Sequence, residues 1–317
     1  MTTKPKRASQ KSLSNLQGLV TNLANNKALK PKSLISTIFG DMIVPIGGHV
    51  WVDTLCTLLE PLGVSERLVR TSLFRMTEGD WLKSTRSGRR SFYGLTSLGR
   101  SQTKLAESLI YHRNDFSWNG AWTIVFLVMK PVNKQARQQL EEELSWIGFG
   151  RVSNHAWAHP TVAAELVLER VNELDLQDKV VCMRCENVHN TESGFKLSDR
   201  DLALACMPVT GIQSDYQRFI TNFDGILNSI EKLNVDEMLS LRILLIDQYR
   251  KIILEDPHLP KELLPTDWNG KQAYSLAAQL YESIKAKTDK RVEEILNESG
   301  EITANHCSGE YSNRFDN

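Results

Sequence analysis

Residues Gly63 to Leu95 read GVSERLVRTSLFRMTEGDWLKSTRSGRRSFYGL and contain the strongest structural pattern in this chain. Ser65 and Glu66 suit the start of a helix, because a hydroxyl can cap it and an acid favours its positive end. A helical period then separates an apolar face from a basic one. The apolar face contains Leu68, Val69, Leu73 and Met76, and the polar face contains Arg67, Arg70, Thr71, Phe74, Arg75 and Glu78. Two extended runs around Ser87-Gly88 follow and predict a basic hairpin.

Two further amphipathic helices precede this stretch. We expect Ser33 to cap the first and Pro45 to end it, and Gly63 to end the second. Their apolar stripes are Leu34, Ile35, Ile38, Phe39 and Met42 in the first, and Trp51, Leu55, Leu58, Leu59 and Leu62 in the second. Helix, helix, basic helix and basic hairpin in this order are typical of a winged helix-turn-helix, which places its last helix in the major groove of duplex DNA. The predicted DNA contacts are Ser65, Arg67, Arg70, Thr71 and Arg75 in the helix, and Arg86, Arg89 and Arg90 in the hairpin.

The basic residues are concentrated at one end of a chain whose total charge is balanced. The 317 residues contain 38 Lys and Arg and 38 Asp and Glu, but the first 104 residues carry 16 basic side chains against 6 acidic ones. Basic side chains that neutralise phosphates release condensed counterions and so give affinity for nucleic acid. We therefore expect duplex DNA to bind the N-terminal third, while the acidic remainder discourages DNA from coating the rest of the molecule.

The pattern along the chain predicts an α+β multidomain protein. The winged helix-turn-helix covers residues 33–96, and a linker helix follows over 97–116. A buried strand over Ala121–Met129 opens a β-α-β-β-α-β order over residues 117–190, which is typical of a middle ferredoxin-like domain. Long helical periods over residues 196–297 predict a C-terminal all-α domain.

Polar composition marks both ends of the chain. Residues 1–32 contain seven Lys and Arg and no acid, and predict a disordered basic arm. This arm either embraces DNA or is an unconstrained tail. Residues 298–317 predict a flexible tail. No apolar run approaches the roughly 20 residues that span a bilayer, and the five cysteines are scattered. We therefore expect a cytoplasmic protein, associated with the nucleoid and not with a membrane, whose thiols are reduced.

Motifs that carry catalytic chemistry are absent or incomplete. The sequence has no Walker loop, Gly-x-Gly-x-x-Gly or Gly-x-Ser-x-Gly. Cys182 and Cys185, near His189, have the spacing of a metal or redox pair. Residues three apart on a strand face opposite sides, however, and buried free cysteines are the simpler interpretation. We predict no enzyme activity, no metal and no cofactor.

The last third offers cations and aromatic faces that suit an anionic, ring-bearing ligand. Arg242 and Tyr249 are seven residues apart and so share a helix face. The predicted ligand residues are Tyr216, Arg218, Arg242, Tyr249, Arg250 and Trp268. Core tyrosines and surface arginines are the alternative interpretation of the same residues.

Seven motifs spread over the chain carry a family resemblance. They are FGD at 39–41, GG-x-VW at 47–51, GVSERLVRT at 63–71, GRRSFY at 88–93, WIGFG at 146–150, DPHLP at 256–260 and LLP-x-x-W at 263–268. On these motifs the chain resembles the PaaX family, repressors of phenylacetic acid degradation genes, over roughly residues 33–296.

The resemblance implies a winged-helix head, a ferredoxin-like middle domain and an α-helical C-terminal domain. It also implies a homodimer that binds inverted-repeat operator DNA and is released by phenylacetyl-CoA or a related aryl- or acyl-CoA. The matching positions are Ser65, Arg67, Arg70 and Arg75 in the third helix, and Gly88, Arg89 and Arg90 in the wing. No family motif assigns the effector contacts.

Two other functions stay open. The middle domain is similar to small CRISPR-associated ferredoxin-like nucleases, whose first strand ends in an acidic metal ligand. Here that strand ends at Val128-Met129-Lys130, so the acid is missing and we expect the domain to dimerise instead. The alternatives are a metal-dependent nucleic-acid enzyme and an architectural DNA binder without an effector.

Overall fold

The computed structural model describes residues 16, 18–23, 29–88, 90–112, 117–128, 133–186, 197–300 and 314–315. The structure is a mixed α+β structure that contains two antiparallel sheets. It divides into two compact units. The first contains the described residues within Met1–Arg113, Asp215–Leu254 and Asn269–Asn317, and the second those within Asn114–Ser214 and Glu255–Trp268.

The first helix, α1, spans Pro31–Ile38 and begins earlier than its sequence predicts. A proline near the helix start has its φ already set, so the helix begins there with Lys30 at the cap position. The predicted cap at Ser33 is therefore wrong, and the Ser33 hydroxyl instead donates to Oδ1 of Asp247 at 2.6 Å. After α1 the chain forms a π-helical turn over Phe39–Ile43 and a 3₁₀ turn over Val44–Ile46.

The rest of the N-terminal part alternates helices with a three-stranded sheet. Its elements are β1 His49–Trp51, α2 Val52–Leu59, a 3₁₀ turn Glu60–Leu62, α3 Glu66–Glu78, β2 Leu82–Ser87, β3 Arg90–Leu95 and α4 Ser97–Tyr111. The strand order is β1-β3-β2, and Trp51 pairs with Phe92. The sequence placed Trp51 in a helix, because three residues are too short to show strand alternation.

The buried face of α3 is narrower than predicted. Val69, Leu73 and Met76 are buried, but Leu68 is 49 % exposed. At 100° per residue, Leu68 lies about 100° from Val69, while Leu73 and Met76 lie within about 40° of it. The prediction that Leu68 packs in the core is therefore wrong.

Long helices complete the first unit. They are the C-terminal part of α8 Val209–Leu227, α9 Val235–Ile253 and α10 Gly270–Glu298, with a 3₁₀ turn at Ile230–Lys232. Helix α9 is buried over most of its length and packs against α1, α4 and α10. The N-terminal elements and the C-terminal helices therefore share one core.

The second unit has the predicted β-α-β-β-α-β order. Its elements are β4 Ala121–Leu127, α5 Lys134–Trp146, β5 Gly150–Ser153, β6 Ala156–His159, α6 Ala164–Glu173 and β7 Val180–Glu186, followed by α7 Asp199–Cys206. The strand order is β5-β6-β4-β7, with every pairing antiparallel. One face of the sheet packs on α5 and α6 through Val125, Leu140 and Val167. On the other face, α7 and the segment 255–268 pack against Trp122 and Ala158.

Parts of the predicted basic arm and of the predicted flexible tail are ordered and buried. Residues 18–23 are helical, and Leu19 and Leu23 are buried. Arg314 and Phe315 are also buried, so the prediction of a flexible tail does not hold for these two residues. Residues 1–15, 17 and 24–28 of the predicted basic arm lie outside the described residues, as do residues 301–313, 316 and 317 of the predicted tail.

A fully buried carboxylate lies at the centre of the first unit. Arg242 on α9 donates from Nε to Oδ2 of Asp41 at 2.7 Å. The hydroxyls of Tyr111 and Tyr281 donate to Oδ1 of Asp41 at 2.7 and 2.9 Å, and Nη1 of Arg314 donates to the same oxygen at 3.1 Å. Burial alone would raise the pKa of Asp41, but the two guanidinium groups outweigh burial and hold it below its usual range.

We predict that Asp41→Asn lowers the free energy of unfolding by about 3–5 kcal/mol, because it removes the fully buried carboxylate that Arg242 and Arg314 share and leaves each guanidinium with only its more exposed partner, Asp289 or Glu107. Urea denaturation followed by circular dichroism measures the change. Asp53→Asn is the control: Asp53 is half exposed and pairs with Arg70 and Arg90 only at the surface, so its loss should cost about 1 kcal/mol or less. Equal effects of the two substitutions would contradict a central role for Asp41.

Candidate nucleic-acid interface

Helix α3 presents a basic face to solvent. Its buried side is fixed by Val69, Leu73 and Met76, whereas Arg67, Thr71, Phe74 and Arg75 are exposed on the opposite side. Ser65 occupies the N-cap position, but its side chain makes no capping hydrogen bond. The helix therefore displays the polar residues that its sequence predicted, at a helix end where an exposed hydroxyl and backbone N–H groups suit phosphate oxygens.

The predicted DNA-contacting arginines differ in what they already contact. Arg70 donates to Oε1 of Glu66 at 2.7 Å, one helical turn away. Arg90 stacks over Trp51, with its guanidinium carbon 4.4 Å from the ring centroid, and donates to the carbonyl of Ser299 at 2.8 Å. Both side chains are therefore held by interactions within the protein.

Three other arginines make no such contacts. Within the described part of the chain, the guanidinium groups of Arg67, Arg75 and Arg86 have no hydrogen-bond or ion-pair partner. Arg86 lies near the tip of the β2–β3 hairpin, where Ser87 pairs with Arg90 and Gly88 adopts φ 61°. Arg89, at the same tip, lies outside the described residues.

A cleft with a volume of about 440 Å³ lies beside the C-terminal end of α3. Its walls come from α1, α3, α4 and α9. The lining includes Lys32, Arg75, Trp81, Gln102, Glu107 and Arg250. Three of these side chains are basic and one is an indole, so the cleft suits a ligand that combines anionic groups with a ring. We refer to it as the α3 cleft.

Arg250 is the predicted ligand residue that lines the α3 cleft. It donates to Oγ of Ser33 at 2.9 Å and to Oγ1 of Thr37 at 3.2 Å. Burial lowers the pKa of Arg250, although Asp247 opposes this shift. Its direct hydrogen bonds are to uncharged groups, and the carboxylate of Asp247, which accepts from the same two hydroxyls, offsets part of its positive charge.

The structure does not gather the other predicted ligand residues into one site. Tyr216, Arg242 and Tyr249 are buried in the first unit, Arg218 is exposed and pairs with Asp215 at 2.9 Å, and Trp268 packs in the core of the second unit. Sequence reasoning missed Trp81, Gln102 and Glu107. They follow ordinary turn and helix patterns, so nothing local marks them as cleft residues.

The structure does not bring Cys182 and Cys185 together as a site, and His189 lies outside the described residues. Cys182 is half-buried against the core, while Cys185 is exposed. His159 accepts backbone hydrogen bonds at Nδ1 from Val162 and Thr161, at 2.9 and 3.1 Å, and burial lowers its pKa to about 4. In the described ranges, no three His, Cys, Asp or Glu side chains are grouped as metal ligands. Among the described helices, none combines the length and apolarity needed to span a bilayer.

Comparisons with known proteins agree with the motifs. Residues 30–99 match the family model of the PaaX-like protein, 115–195 that of the PaaX protein central Cas2-like domain, and 208–294 that of the PaaX-like protein C-terminal domain. The chain belongs to the PaaX family. The predicted resemblance is thereby confirmed, and the Cas2-like model of the middle region agrees with the ferredoxin-like strand order.

Two individual proteins match this chain. The chain is 32 % identical over 276 residues to the Transcriptional repressor PaaX of Escherichia coli (strain K12), a match that covers 86 % of each protein. A solved structure, the Uncharacterized protein Rv0674 from Mycobacterium tuberculosis, is 18 % identical with a TM-score of 0.49. That match covers 77 % of this chain and 90 % of the solved chain.

The different partners of the arginines predict different effects in this PaaX-family protein. Arg67→Ala and Arg75→Ala should each weaken duplex DNA binding by about 1–3 kcal/mol, because these side chains are available to bases or phosphates. Arg90→Ala should weaken binding less and lower stability instead, because it removes the contacts with Trp51 and Ser299. Fluorescence anisotropy at several salt concentrations, with thermal denaturation in parallel, separates the two outcomes. A larger binding loss for Arg90→Ala than for Arg67→Ala would refute the assignment.

Proposed function

We propose that this protein is a DNA-binding transcriptional repressor of phenylacetic acid catabolism genes that acts in the cytoplasm on the nucleoid. Residues 33–96 form its winged helix-turn-helix, with α3 in the major groove and the β2–β3 hairpin as the wing. The observation that carries this proposal is the exposed face of α3, where Arg67 and Arg75 have no partner among the described residues. Membership of the PaaX family and identity to a curated repressor support it.

We propose that the operator is an inverted repeat bound by a homodimer, and that residues 117–190 form the dimer contact. Phe126, Val181 and Met183 lie on the same face of the β4–β7 pair and are 37 %, 36 % and 52 % exposed. This is the sheet face opposite α5 and α6. A symmetric dimer through such a self-complementary apolar patch pairs two recognition helices with two half-sites.

Met183→Glu should convert the dimer to a monomer, because it buries a carboxylate in the apolar contact without a partner. Analytical ultracentrifugation measures the dimer dissociation constant, which we expect to rise at least about tenfold, equivalent to roughly 1.4 kcal/mol. Leu166→Glu is a matched control, since Leu166 is also 37 % exposed but lies on α6. A dimer unaffected by Met183→Glu would place the contact elsewhere.

The proposed effector is phenylacetyl-CoA or a related aryl- or acyl-CoA, bound in the α3 cleft. Lys32, Arg75 and Arg250 supply positive charge for the CoA phosphates. Arg75 also belongs to the exposed face of α3, so an anionic ligand in the cleft competes with DNA for the same side chain. Because such coupling is reciprocal, operator DNA weakens effector binding by the same factor.

We propose a regulator without enzyme activity. In the ferredoxin-like nucleases the first strand ends in an acidic metal ligand, whereas β4 here ends at Leu127 and is followed by Val128. The acidic metal ligand of those nucleases therefore has no counterpart at the end of β4. Incubation of purified protein with plasmid DNA and Mg²⁺ or Mn²⁺ should leave the DNA intact, and metal-dependent cleavage would favour the nucleic-acid enzyme.

The decisive experiment is fluorescence anisotropy with promoter DNA from phenylacetate catabolic genes, titrated with phenylacetyl-CoA, phenylacetate and CoA. We expect the promoter to be bound at least about 10³-fold more tightly than unrelated duplex, as specific regulators are. We also expect phenylacetyl-CoA alone to release it. Equal binding of every duplex would favour an architectural protein, and selective binding that ignores all three compounds would refute the effector.

A further inference from the structure

The end of the chain occupies an aromatic cage, which we define as Tyr111, Tyr249, Tyr274 and Tyr281. The ring centroid of Phe315 lies 5.1 Å from that of Tyr111, 5.2 Å from Tyr281, 5.4 Å from Tyr274 and 6.3 Å from Tyr249. The backbone N–H of Phe315 donates to the carbonyl of Tyr111 at 3.1 Å, and the residue is 5 % exposed. Four ring contacts and one main-chain hydrogen bond therefore hold one terminal side chain.

Arg314 connects this cage to the walls of the α3 cleft. Its guanidinium donates to the carbonyl of Gly40 at 2.9 Å, to the carbonyl of Asp41 at 2.6 Å and to Oε1 of Glu107 at 3.0 Å. It also stacks over Tyr111 at 4.4 Å. Gly40, Asp41, Glu107 and Tyr111 all line the α3 cleft. The cleft and the cage thus share Tyr111, and Arg314 binds the wall between them.

The side chain that occupies the aromatic cage indicates which chemical group the cage accepts. The side chain of Phe315 is a benzyl group, and a phenylacetyl thioester carries the same benzyl group on its carbonyl carbon. A site that encloses one benzyl group by aromatic contacts fits the other in size and in ring polarity. The remaining parts of a CoA thioester are anionic and suit the neighbouring cleft, where Lys32 and Arg250 lie.

We propose that Arg314–Phe315 is an intramolecular ligand of the aromatic cage, and that the phenyl ring of the effector displaces Phe315 from it. This inference rests on the effector named in the proposed function. Displacement withdraws Arg314 from Gly40 and Asp41 in the turn after α1, and from Glu107 on α4. It therefore releases contacts between elements of the DNA-binding head while the CoA phosphates draw Arg75 into the cleft.

Competition by the tail has a measurable consequence for affinity. A ligand that binds only when the cage is open has an apparent dissociation constant equal to its intrinsic value divided by the fraction of time the cage is open. In the full-length chain, Phe315→Ala should lower the dissociation constant of phenylacetyl-CoA at least about tenfold by isothermal titration calorimetry. The affinity for CoA alone should not change, because CoA carries no benzyl group. Leu105→Ala, at an exposed residue of α4, is the control.

A second measurement uses the unaltered protein and does not depend on how Phe315→Ala folds. Trypsin cleaves after arginine, and the Arg314–Phe315 bond is protected while Arg314 is 3 % exposed. Saturating phenylacetyl-CoA should accelerate loss of the last three residues, followed by mass spectrometry, whereas CoA should not. A thioester that binds but slows or does not change this cleavage would overturn the displacement.

The outcomes separate this inference from the proposed function. Equal dissociation constants for the wild-type chain and Phe315→Ala would overturn the displacement while leaving the effector in place. If phenylacetyl-CoA binds neither protein, both the displacement and the effector assignment are wrong. Operator binding by the same preparations then shows whether the DNA-binding proposal stands.

Discussion

Removing a carboxylate and a guanidinium from water costs several kcal/mol for each ion, and the first unit contains such a pair at its centre. Asp41 and Arg242 are 201 residues apart in the sequence and have side chains that are 0 % and 2 % exposed. Hydrogen bonds from and to other side chains offset this desolvation cost. Tyr111, Tyr281 and Arg314 donate to Asp41, while Thr288 and Asp289 accept from Arg242. The pair therefore requires α4, α9, α10 and the end of the chain to meet the turn after α1.

This requirement explains why the N-terminal elements and the C-terminal helices form one unit. A second set of contacts runs in parallel, since Asp247 on α9 accepts from Ser33 and Arg250 donates to Thr37. At the far end of α10, Ser299 accepts from Arg90 on β3. These contacts join α1 and the β2–β3 hairpin to helices that lie more than a hundred residues away in the sequence, and α3 packs against α1. A ligand that acts on those helices has a direct physical route to the proposed DNA-binding surface.

The features predicted correctly from the sequence are those that depend on local spacing. The period of α3, the turn at Ser87-Gly88 and the β-α-β-β-α-β order over residues 117–190 each follow from residues close together in the chain. The features that were missed depend on distant partners. The sequence around Ser33 predicts a helix cap, but its hydroxyl donates to Asp247, which is 214 residues away. The three-residue strand β1 forms because it pairs with β3. Arg314 and Phe315 lie in a polar segment, and no local pattern indicates that Phe315 packs among four tyrosines.

The same limit applies to the candidate site. The sequence predicts eight positions for DNA contact. It does not show that Arg70 binds Glu66 and that Arg90 binds Trp51 and Ser299, while Arg67, Arg75 and Arg86 have no partner in the described ranges. Whether an arginine already has a partner matters for regulation, because one contact is a large part of the free energy needed to release DNA. A hundredfold loss of operator affinity needs only about 2.7 kcal/mol, and a hydrogen bond to a charged group contributes about 1.5–3 kcal/mol. Under the proposed function, moving Arg75 from DNA into the α3 cleft in both subunits of the dimer would therefore be enough to release an operator without any large rearrangement of the fold.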